Sequence, residues 1–375
     1  MRKYGPALKK RFSPGAPFGL GLRLSARDAA ELLDGHVSEF KAFLDDEGLY
    51  VAIINGFPYG AFHRTPVKAE VYAPDWRDPK RVEYTLDLIE ILSALVPDDI
   101  DGGVSTAPLS YKAWMTAGTP VDREAILANL TAIADRLVEV RQDTGRLIHL
   151  DIEPEPDCVL ETTEETIAFF THELRPYAAA RLAAATGGSV DQALAHLVDH
   201  LRVCFDCCHV AVEHEDPIVA LHQLAAANIR VGRVQLSSAL RVPVPDDSAG
   251  AEAIRNRLRP FADATYLHQV VARRAGDLRH FPDLDAALDA TEDAAGREWR
   301  IHFHVPLFAH DYDGLGSTQD EVRRVLREAR ERPFTRHLEI ETYTWDVLPG
   351  SLKVDLLDSI AREYEWVLGA LGDHA

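Results

Sequence analysis

Titratable side chains alternate with apolar ones in five segments of the chain. In the stretch RLIHLDIEPEP, residues 146–156, three apolar residues are interleaved with His149, Asp151 and Glu153. Four later segments repeat the pattern: 202–206, 233–236, 301–305 and 338–343. Because the side chains of a β-strand point alternately to its two faces, each segment predicts a strand with one apolar and one polar face. Such strands form either a sheet with a solvent-exposed face or the lining of a closed polar cavity.

The elements that must position these side chains follow a regular order. Short apolar segments alternate with long amphipathic ones, which is typical of parallel βα units. The predicted strands are residues 18–25, 49–56, 102–108, 146–156, 202–210, 231–237, 299–308 and 337–345. The predicted helices are residues 26–46, 79–96, 121–142, 163–200, 217–228, 250–260, 318–331 and 355–370. The eight pairs predict an α/β fold, a (β/α)8 TIM barrel that forms one domain over residues 1–375.

Two segments stand outside the eight βα pairs. Residues 1–17 are a predicted N-terminal extension, and residues 262–296 a predicted insertion with a β-hairpin before the seventh strand. A glycine, Gly276, lies near the predicted turn. A doubly wound open sheet is the alternative fold. The chain has no G-x-G-x-x-G motif that opens a helix after the first strand, which disfavours the dinucleotide-binding form of that sheet.

Composition excludes several classes of partner. The chain has 375 residues and a formal net charge of −20, whereas proteins that bind nucleic-acid backbones usually carry a basic surface. The sequence contains no run of about 18 apolar residues, so no transmembrane helix is expected. The basic N-terminus lacks the apolar region of a signal peptide, and four cysteines in so long a chain do not form a disulfide framework. We therefore predict a soluble cytoplasmic protein that acts on a small polar metabolite, without nucleic-acid binding or membrane insertion.

In a closed barrel, the polar faces of the strands must point inward. Helices cover the outside and pack on the apolar faces. Buried ionisable groups then have to be paired or bound to a metal, because leaving each one unpaired costs several kcal/mol. The acids also lie near the carboxyl ends of their strands, where barrel enzymes place their chemistry. The candidate ligands of a divalent ion such as Mn, Mg or Zn are Glu153, Asp206, His209, Gln235, His302, His304 and Glu341.

Residues near the predicted loops complete the candidate site. Tyr111, Lys112, Tyr343 and Trp345 lie on or near βα loops, and His268 lies in the predicted hairpin. Each either contacts a substrate or only packs at the rim of the barrel. The segment CFDCC contains a C-x-x-C spacing, but a second cysteine pair is missing, so a structural zinc site is not expected.

These residues resemble the xylose isomerase-like TIM barrels. The resemblance rests on a Glu after strand four, the D-x-x-H sequence DCCH at residues 206–209, an amide or His ending strand six, and a Glu ending strand eight. That superfamily contains sugar isomerases, sugar-phosphate epimerases, inosose dehydratases and endonuclease IV. The chain also resembles a narrower group, the metabolite traffic protein EboE. That match rests on the stretches VSTAPLSYK, LDIEPEPDC, CFDCCHVAV, VQLSSAL, YLHQVV, RIHFHVPLF and LEIETYTWDVLP.

The resemblance implies a ligand set and roles for its members. Glu153, Asp206, Gln235 and Glu341 would hold the metal, and His209 would contact the substrate or a second ion. The epimerases usually have His where Gln235 stands, and many carry Arg on strand seven, where this chain has histidines. The additional histidines would support a second ion, as in the endonuclease IV branch, so the metal count of one or two stays open.

Three functions follow from this site. The first is a metal-dependent isomerase or epimerase of a sugar- or cyclitol-like metabolite, in an Ebo-type trafficking or biosynthetic pathway. In it, Glu153, Glu341 and His209 are the predicted catalytic residues. The second is a metal-dependent phosphoester hydrolase with two ions. The third is a protein that binds a metabolite without transforming it.

Overall fold

The computed structural model describes residues 2–60, 67–115, 120–262, 264–290, 296–312, 314–342, 344 and 355–372. Its strands are β1 Phe18–Arg23, β2 Leu49–Asn55, β3 Gly102–Thr106, β4 Ile148–Ile152, β5 Leu201–Asp206, β6 Val231–Leu236, β7 Ser238–Pro243, β8 Val270–Arg274, β9 Asp277–Phe281, β10 Glu298–Val305, β11 Asp311–Tyr312, β12 Leu315–Ser317 and β13 Leu338–Ile340. Its helices are α1 Gly5–Phe12, α2 Ala26–Leu33, α3 Val37–Glu47, α4 Pro79–Leu95, α5 Pro120–Thr144, α6 Thr163–Ala168, α7 Arg175–Thr186, α8 Val190–His200, α9 Cys207–Val212, α10 Pro217–Ala226, α11 Ser248–Leu258, α12 Leu284–Asp289, α13 Gln319–Glu331 and α14 Leu356–Leu371.

Seven parallel strands form a nearly closed barrel, which confirms the predicted fold class. Hydrogen bonds join them in the order β1-β2-β3-β4-β5-β6-β13, and each adjacent pair is parallel. The two outer strands of this sheet approach each other, since a Cβ atom on Gly21 of β1 would lie 1.9 Å from Oε1 of Glu339 on β13. The apolar faces of the strands pack against the surrounding helices in the largest hydrophobic core.

The structure differs from the predicted strand order at one position. The stretch predicted as barrel strand seven forms β10, which lies in a second, antiparallel sheet with the order β11-β12-β7-β10-β8-β9. β10 pairs with β7 along one edge and with β8 along the other. Because both edges of β10 are occupied in this way, β13 pairs directly with β6. The barrel sheet therefore has seven strands rather than the predicted eight.

The predicted hairpin is confirmed as β8 and β9. The two strands are antiparallel, with Val270 opposite Phe281 at one end and Arg274 opposite Asp277 at the other. Its two turn residues, Ala275 and Gly276, both have positive φ angles, of 49° and 88°, as a tight two-residue hairpin turn requires. The apolar face of β10, including Trp299 and Phe303, packs into a second core with α11 and α12. Its opposite, polar face is therefore turned towards the barrel.

Ion pairs fill the interior of the barrel. Arg233 is fully buried, and its guanidinium lies 3.3 Å from Oδ2 of Asp151 and 3.2 Å from Oε2 of Glu339. It also donates hydrogen bonds to the carbonyl oxygens of Ile54 and Gly103. The inward polar rows are thus paired with each other below the level of the candidate site.

No helix within the described ranges combines the length and apolar character needed to cross a bilayer.

Candidate metal centre

A cavity opens at the carboxyl ends of the barrel strands. Five of the seven predicted ligands line it, together with apolar and aromatic side chains. The residues that line it are Arg23, Asn55, Phe57, Pro58, Val67, Lys68, Val71, Tyr72, Glu153, Glu155, His209, Tyr266, Leu267, His302, His304 and Glu341.

The two carboxylate oxygens of Asp206, the last residue of β5, have different surroundings. Its Oδ1 atom caps α9 by accepting hydrogen bonds from the backbone N–H groups of Cys208 and His209, at 2.7 and 3.0 Å. The Ser237 hydroxyl donates a third hydrogen bond to the same oxygen, at 2.6 Å. Oδ2 is buried and has no hydrogen-bond partner among the described residues. A carboxylate fixed through one oxygen offers the other as a preoriented ligand.

Three buried histidines each donate their Nδ1 proton to an oxygen acceptor. The acceptors are the carbonyl oxygen of Pro154 for His209, at 2.8 Å, the side-chain oxygen of Gln269 for His302, at 2.8 Å, and the carbonyl oxygen of Glu341 for His304, at 2.8 Å. The Gln269 amide nitrogen donates to Tyr72 and Pro156, which assigns its oxygen as the acceptor. In a neutral imidazole with a protonated Nδ1, the lone pair is on Nε2. All three histidines therefore present Nε2 as a potential ligand.

These Nε2 atoms converge near Asp206. Nε2 of His209 lies 3.2 Å from Nε2 of His302 and 3.9 Å from Oδ2 of Asp206. Nε2 of His304 lies 3.8 Å from the same oxygen. Tetrahedral ligands about 2.1 Å from an ion are about 3.4 Å apart, so these separations suit one shared cation. Two facing imidazole lone pairs repel each other, and either a cation beside both or a proton on one relieves that repulsion.

Two carboxylates complete the polar wall. Glu153 follows β4, and its Oε2 atom has no hydrogen-bond partner within the described ranges. Burial, and then the charges of Glu341 and Asp206, raise its pKa well above the ordinary value. Glu341 follows β13 and accepts hydrogen bonds at Oε1 from Arg23 and Asn55, both at 2.9 Å. Burial raises the pKa of Glu341 to about 8, despite the opposing effect of Arg23.

The histidines respond differently to the same burial. Burial and the neighbouring His209 lower the pKa of His302 well below its ordinary value, and burial lowers that of His304 to about 4. Burial alone would also lower the pKa of His209, but the charges of Asp206 and Glu155 outweigh it and raise the pKa. His302 and His304 are thus neutral at pH 7, as metal ligands must be.

Gln235 lies beside Asp206 on the neighbouring strand, in register with it. Its side chain is fully buried, and neither amide atom has a hydrogen-bond partner in the described part of the chain. It is not among the residues that line the cavity. One residue that we did not predict, Cys208, has its sulfur within 4.8 Å of a ring nitrogen of both His302 and His304.

The predicted substrate-binding residues either do not line the cavity or lie outside the described residues. His268 is buried and donates its Nδ1 proton to the carbonyl oxygen of His302, at 2.9 Å. Tyr111 stacks on Tyr72, with ring centroids 5.3 Å apart. Lys112 is paired with Glu161 at 2.5 Å. None of these three residues lines the cavity. Tyr343 and Trp345 lie outside the described residues.

Several residues of the site were not predicted. Arg23 and Asn55 end β1 and β2, and a polar residue at the carboxyl end of a barrel strand was the signal that could have identified them. Glu155, two residues after Glu153, accepts a hydrogen bond from the Tyr72 hydroxyl at 2.8 Å. Burial raises its pKa to about 6. Gln269, which orients His302, immediately precedes β8 and gave no signal in the sequence.

The donor set fits a divalent ion. It combines a preoriented carboxylate oxygen, three imidazole nitrogens held in one tautomer and two further carboxylates that line the cavity. Asp206, His209 and His304 have ligand atoms within 4.8 Å of one another, as do Glu155, His209 and His302. Mixed imidazole and carboxylate donors suit Zn or Mn better than Mg or Ca.

No known family model and no curated protein matches the sequence. Solved structures similar to the chain include xylose isomerase-like barrels. One is described as the probable 3-DHS dehydratase AsbF from Bacillus anthracis, with 12% identity over 100% of this chain and 93% of that one and a TM-score of 0.46. Another is a xylose isomerase-like TIM barrel protein from Mycobacterium smegmatis in complex with magnesium, with 15% identity over 97% and 86% and a TM-score of 0.46. A third is the IOLI protein with a zinc atom, with 11% identity over 98% and 92% and a TM-score of 0.45.

Proposed function

We propose that the protein is a divalent-metal-dependent isomerase or epimerase that acts on a small sugar- or cyclitol-like metabolite. The observation that carries the proposal is the convergence of Asp206 Oδ2 and three tautomer-fixed imidazoles near two carboxylates that line the cavity. A divalent ion bound there would polarise a carbonyl oxygen and acidify the neighbouring C–H group. Asp206, His209, His302 and His304 would hold it, together with Glu153, Glu341 and Gln235.

The two glutamates are placed to move a proton between substrate atoms. Glu153 and Glu341 follow β4 and β13, which are separated in the sheet by β5 and β6, and both line the cavity. Glu153, whose Oε2 has no partner among the described residues, would remove the proton, because a bound cation would favour its ionised form over the protonated form that burial favours. Glu341, oriented by Arg23 and Asn55, would return one from the other side, which gives epimerisation or isomerisation. His209 would contact the reacting oxygen or the ion.

The lining of the cavity supports a small substrate with a carbon framework. Phe57, Val71 and Leu267 line the cavity together with the carboxylates and would pack against the carbon atoms. The carboxylate and imidazole groups would bind hydroxyl and carbonyl oxygens. The resemblance of the sequence to the EboE group favours a metabolite of an Ebo-type trafficking or biosynthetic pathway.

A metal-dependent phosphoester hydrolase is the second candidate. His209 belongs to both triads of potential ligands, one with Asp206 and His304 and the other with Glu155 and His302. Two neighbouring ions would suit in-line displacement at phosphorus. Release of inorganic phosphate from a panel of phosphoesters, with no reaction of ketoses or cyclitols, would favour this candidate over the isomerase.

Exchange of a carbon-bound proton tests the main proposal. The chain, reconstituted with Mn²⁺ or Zn²⁺, is incubated with a panel of ketoses and cyclitol ketones in D₂O. We expect deuterium next to the carbonyl carbon of at least one substrate. We also expect at least a hundredfold loss of that exchange in Glu341→Gln, because the amide cannot transfer the proton.

The matched control is Glu363→Gln. Glu363 is also a carboxylate, 1% exposed, but it lies outside the cavity, where it accepts hydrogen bonds from the Leu307 backbone N–H and the Thr342 hydroxyl. It should retain exchange. Retained exchange in folded Glu341→Gln would contradict the catalytic assignment, and a panel that binds but never reacts would favour a non-catalytic metabolite-binding protein.

A further inference from the structure

Three potential metal ligands lie together at the end of the barrel opposite the candidate metal centre. Asp101 immediately precedes β3, His149 is the second residue of β4, and His337 immediately precedes β13. One ligand atom from each lies within 4.8 Å of the others. All three stand at the amino ends of their strands, and none of them lines the cavity at the carboxyl ends. This group is therefore separate from the candidate metal centre.

Asp151 sets the tautomer of His149. Nδ1 of His149 lies 2.6 Å from Oδ1 of Asp151, and the other carboxylate oxygen of Asp151 pairs with Arg233. An ionised carboxylate only accepts hydrogen bonds, so Nδ1 of His149 is the donor. In the neutral imidazole the lone pair is then on Nε2. Histidines that bind metals usually donate their other ring N–H to a carboxylate or a carbonyl oxygen in this way.

The free nitrogen of His149 is aimed at Asp101. The His149 side chain is fully buried, and its Nε2 atom has no hydrogen-bond partner among the described residues. It lies 3.5 Å from Oδ2 of Asp101, and Nε2 of His337 lies 3.2 Å from Oδ1 of the same carboxylate. A lone pair that faces a carboxylate oxygen is repelled by it. Either a proton on Nε2 or a cation bound to both groups removes that repulsion.

The distances favour the cation over the proton. A charge-assisted N–H···O hydrogen bond is about 2.7–2.9 Å long, which is much shorter than the 3.5 Å between His149 and Asp101. Tetrahedral ligands about 2.1 Å from an ion are about 3.4 Å apart, which is close to both imidazole–carboxylate distances. Arg202 donates to Oδ2 of Asp101 at 2.9 Å. It thereby orients the carboxylate, as hydrogen-bond donors commonly orient carboxylates that bind a metal.

Two glycines make room for the pair formed by His149 and Asp151. A Cβ atom on Gly103 of β3 would lie 2.6 Å from Cε1 of His149, and one on Gly232 of β6 would overlap Oδ1 of Asp151. A larger residue at either position would displace these side chains. The backbones of the two strands therefore hold the imidazole in one place, with Nδ1 on Asp151 and Nε2 towards Asp101.

We propose that Asp101, His149 and His337 bind a second divalent cation at the amino end of the barrel. Two imidazoles and a carboxylate suit Zn²⁺, with water in the remaining position. The Asp101 side chain is 13% exposed, which gives the ion access from solvent. In the sheet, β5 and β6 separate β13 from β4, so the ion would tie β13 to β3 and β4 across the barrel. It would thereby anchor the start of the strand that Glu341 follows.

Zn²⁺ titration of the full, metal-free chain against a chromophoric chelator tests the proposal. The titration is done in a His302→Ala/His304→Ala background, which removes two ligands of the candidate metal centre and so separates the two sites. We expect this background chain to bind one Zn²⁺ ion. Asp101→Asn and His337→Gln, each added to the background, should weaken that binding at least about tenfold, because each removes a direct ligand.

His200→Asn in the same background is the matched control. His200 is also a fully buried histidine beside β4, where its Nδ1 atom lies 2.6 Å from the Ile148 carbonyl oxygen, but it is not a proposed ligand. This variant should bind Zn²⁺ as the background chain does. Circular dichroism would verify that each variant folds.

Anomalous scattering at the zinc edge locates the ion without any change at the new site. In crystals of the background chain grown with Zn²⁺, we expect a peak between Asp101, His149 and His337. The proposal is overturned if there is no peak at that position, if the background chain binds no Zn²⁺, or if folded Asp101→Asn and His337→Gln bind it as tightly as the control. None of these results would affect the candidate metal centre, whose own test is proton exchange in Glu341→Gln.

Discussion

Replacing Gln269 by Met should weaken metal binding at the candidate metal centre, called the central site below, although Gln269 is not itself one of the proposed ligands. The Gln269 side-chain oxygen accepts the Nδ1 proton of His302 at 2.8 Å, and the residue is 1% exposed. Methionine has a similar length but no comparable acceptor. In the variant, the proton of His302 is free to move to Nε2, where it would be donated to Nε2 of His209, 3.2 Å away. An incoming ion must then break that hydrogen bond and restore the other tautomer.

The size of the effect follows from these two steps. A net hydrogen bond contributes about 0.5–1.5 kcal/mol, and an unsatisfied buried N–H costs about 1–3 kcal/mol. Loss of a group that orients a metal-bound histidine typically weakens metal affinity by about 10–100-fold, or about 1.4–2.7 kcal/mol. We therefore expect the dissociation constant for Zn²⁺ to rise by about 10–100-fold in Gln269→Met.

Competition with a chromophoric chelator measures the change in affinity for Zn²⁺. Gln319→Met is the matched control, since Gln319 is also a buried amide, 4% exposed, whose side chain donates to the Leu307 carbonyl oxygen and not to a histidine of the described residues. It should bind Zn²⁺ as the wild-type chain does, and circular dichroism would verify that both variants fold.

Unchanged affinity in Gln269→Met alone would not refute the argument, because a second group can accept the Nδ1 proton of His302. Oε1 of Glu155 is 3.5 Å from Nδ1 of His302 and could replace Gln269 as its acceptor. Unchanged affinity in Gln269→Met, and again in the Gln269→Met/Glu155→Gln double variant, would refute the tautomer argument. The pH dependence of the affinity is a second readout. If the ion competes with a proton on Nε2, the affinity for Zn²⁺ should fall more steeply below pH 7 in the variant.

Two further predictions concern stability. Burial lowers the pKa of His200 to about 4, so between the unfolded value of 6.5 and pH 4 mainly the unfolded chain binds a proton, and stability falls as the pH falls. Between pH 7.5 and pH 5 this lowers the unfolding free energy by about 2 kcal/mol. In His200→Asn, urea unfolding should show a decrease that is smaller by that amount. Equal decreases in the variant and the wild-type chain would contradict the assignment. Arg233→Met leaves the buried Asp151 and the partly buried Glu339 without their cation and should lower the unfolding free energy by about 3–5 kcal/mol. The exposed-pair control Arg324→Met should change it by less than about 1 kcal/mol. A melting temperature of Arg233→Met like that of the control would show that the ion-pair layer contributes little.

Local patterns were sufficient to predict most elements of the barrel. The amphipathic stretch 79–96 is α4, Pro79–Leu95, and the stretch 318–331 is α13, Gln319–Glu331. Apolar periodicity predicts these elements because each helix buries one side on the sheet. The predicted helix 26–46 is instead two helices, α2 and α3, interrupted near Gly35, which has a φ of 87°. A glycine inside an amphipathic pattern was the only signal for that break.

Strand seven could not be placed from its own residues. An apolar row that alternates with His302 and His304 fits a barrel strand with helices outside it. It fits equally well a strand of a second sheet that covers another core, because the pattern specifies two faces and not the partners. The deciding feature was β7, which directly follows β6 and pairs with β10. Such long-range pairing is not encoded in the alternation of either segment.

The acids of the site were easier to predict than the groups that hold them. Glu153, Asp206 and Glu341 stand at the carboxyl ends of regular strands, where the direction of a parallel sheet brings them together. Gln269 acts from a segment outside the barrel strands, and its contact with His302 depends on how the two sheets pack. Sequence spacing gives the reach of a side chain along its own element, but not across such an interface.

The central site is consequently formed by residues from two sheets whose strands pair with different neighbours. Its carboxylates belong to the barrel, whereas His302 and His304 belong to β10, whose paired neighbours are β7 and β8. The contacts that set the histidines against the acids are side-chain bonds across the interface, from His304 to the Glu341 carbonyl oxygen and from Gln269 to the Pro156 carbonyl oxygen. A small shift of the second sheet would change the spacing of the Nε2 atoms and leave the barrel intact.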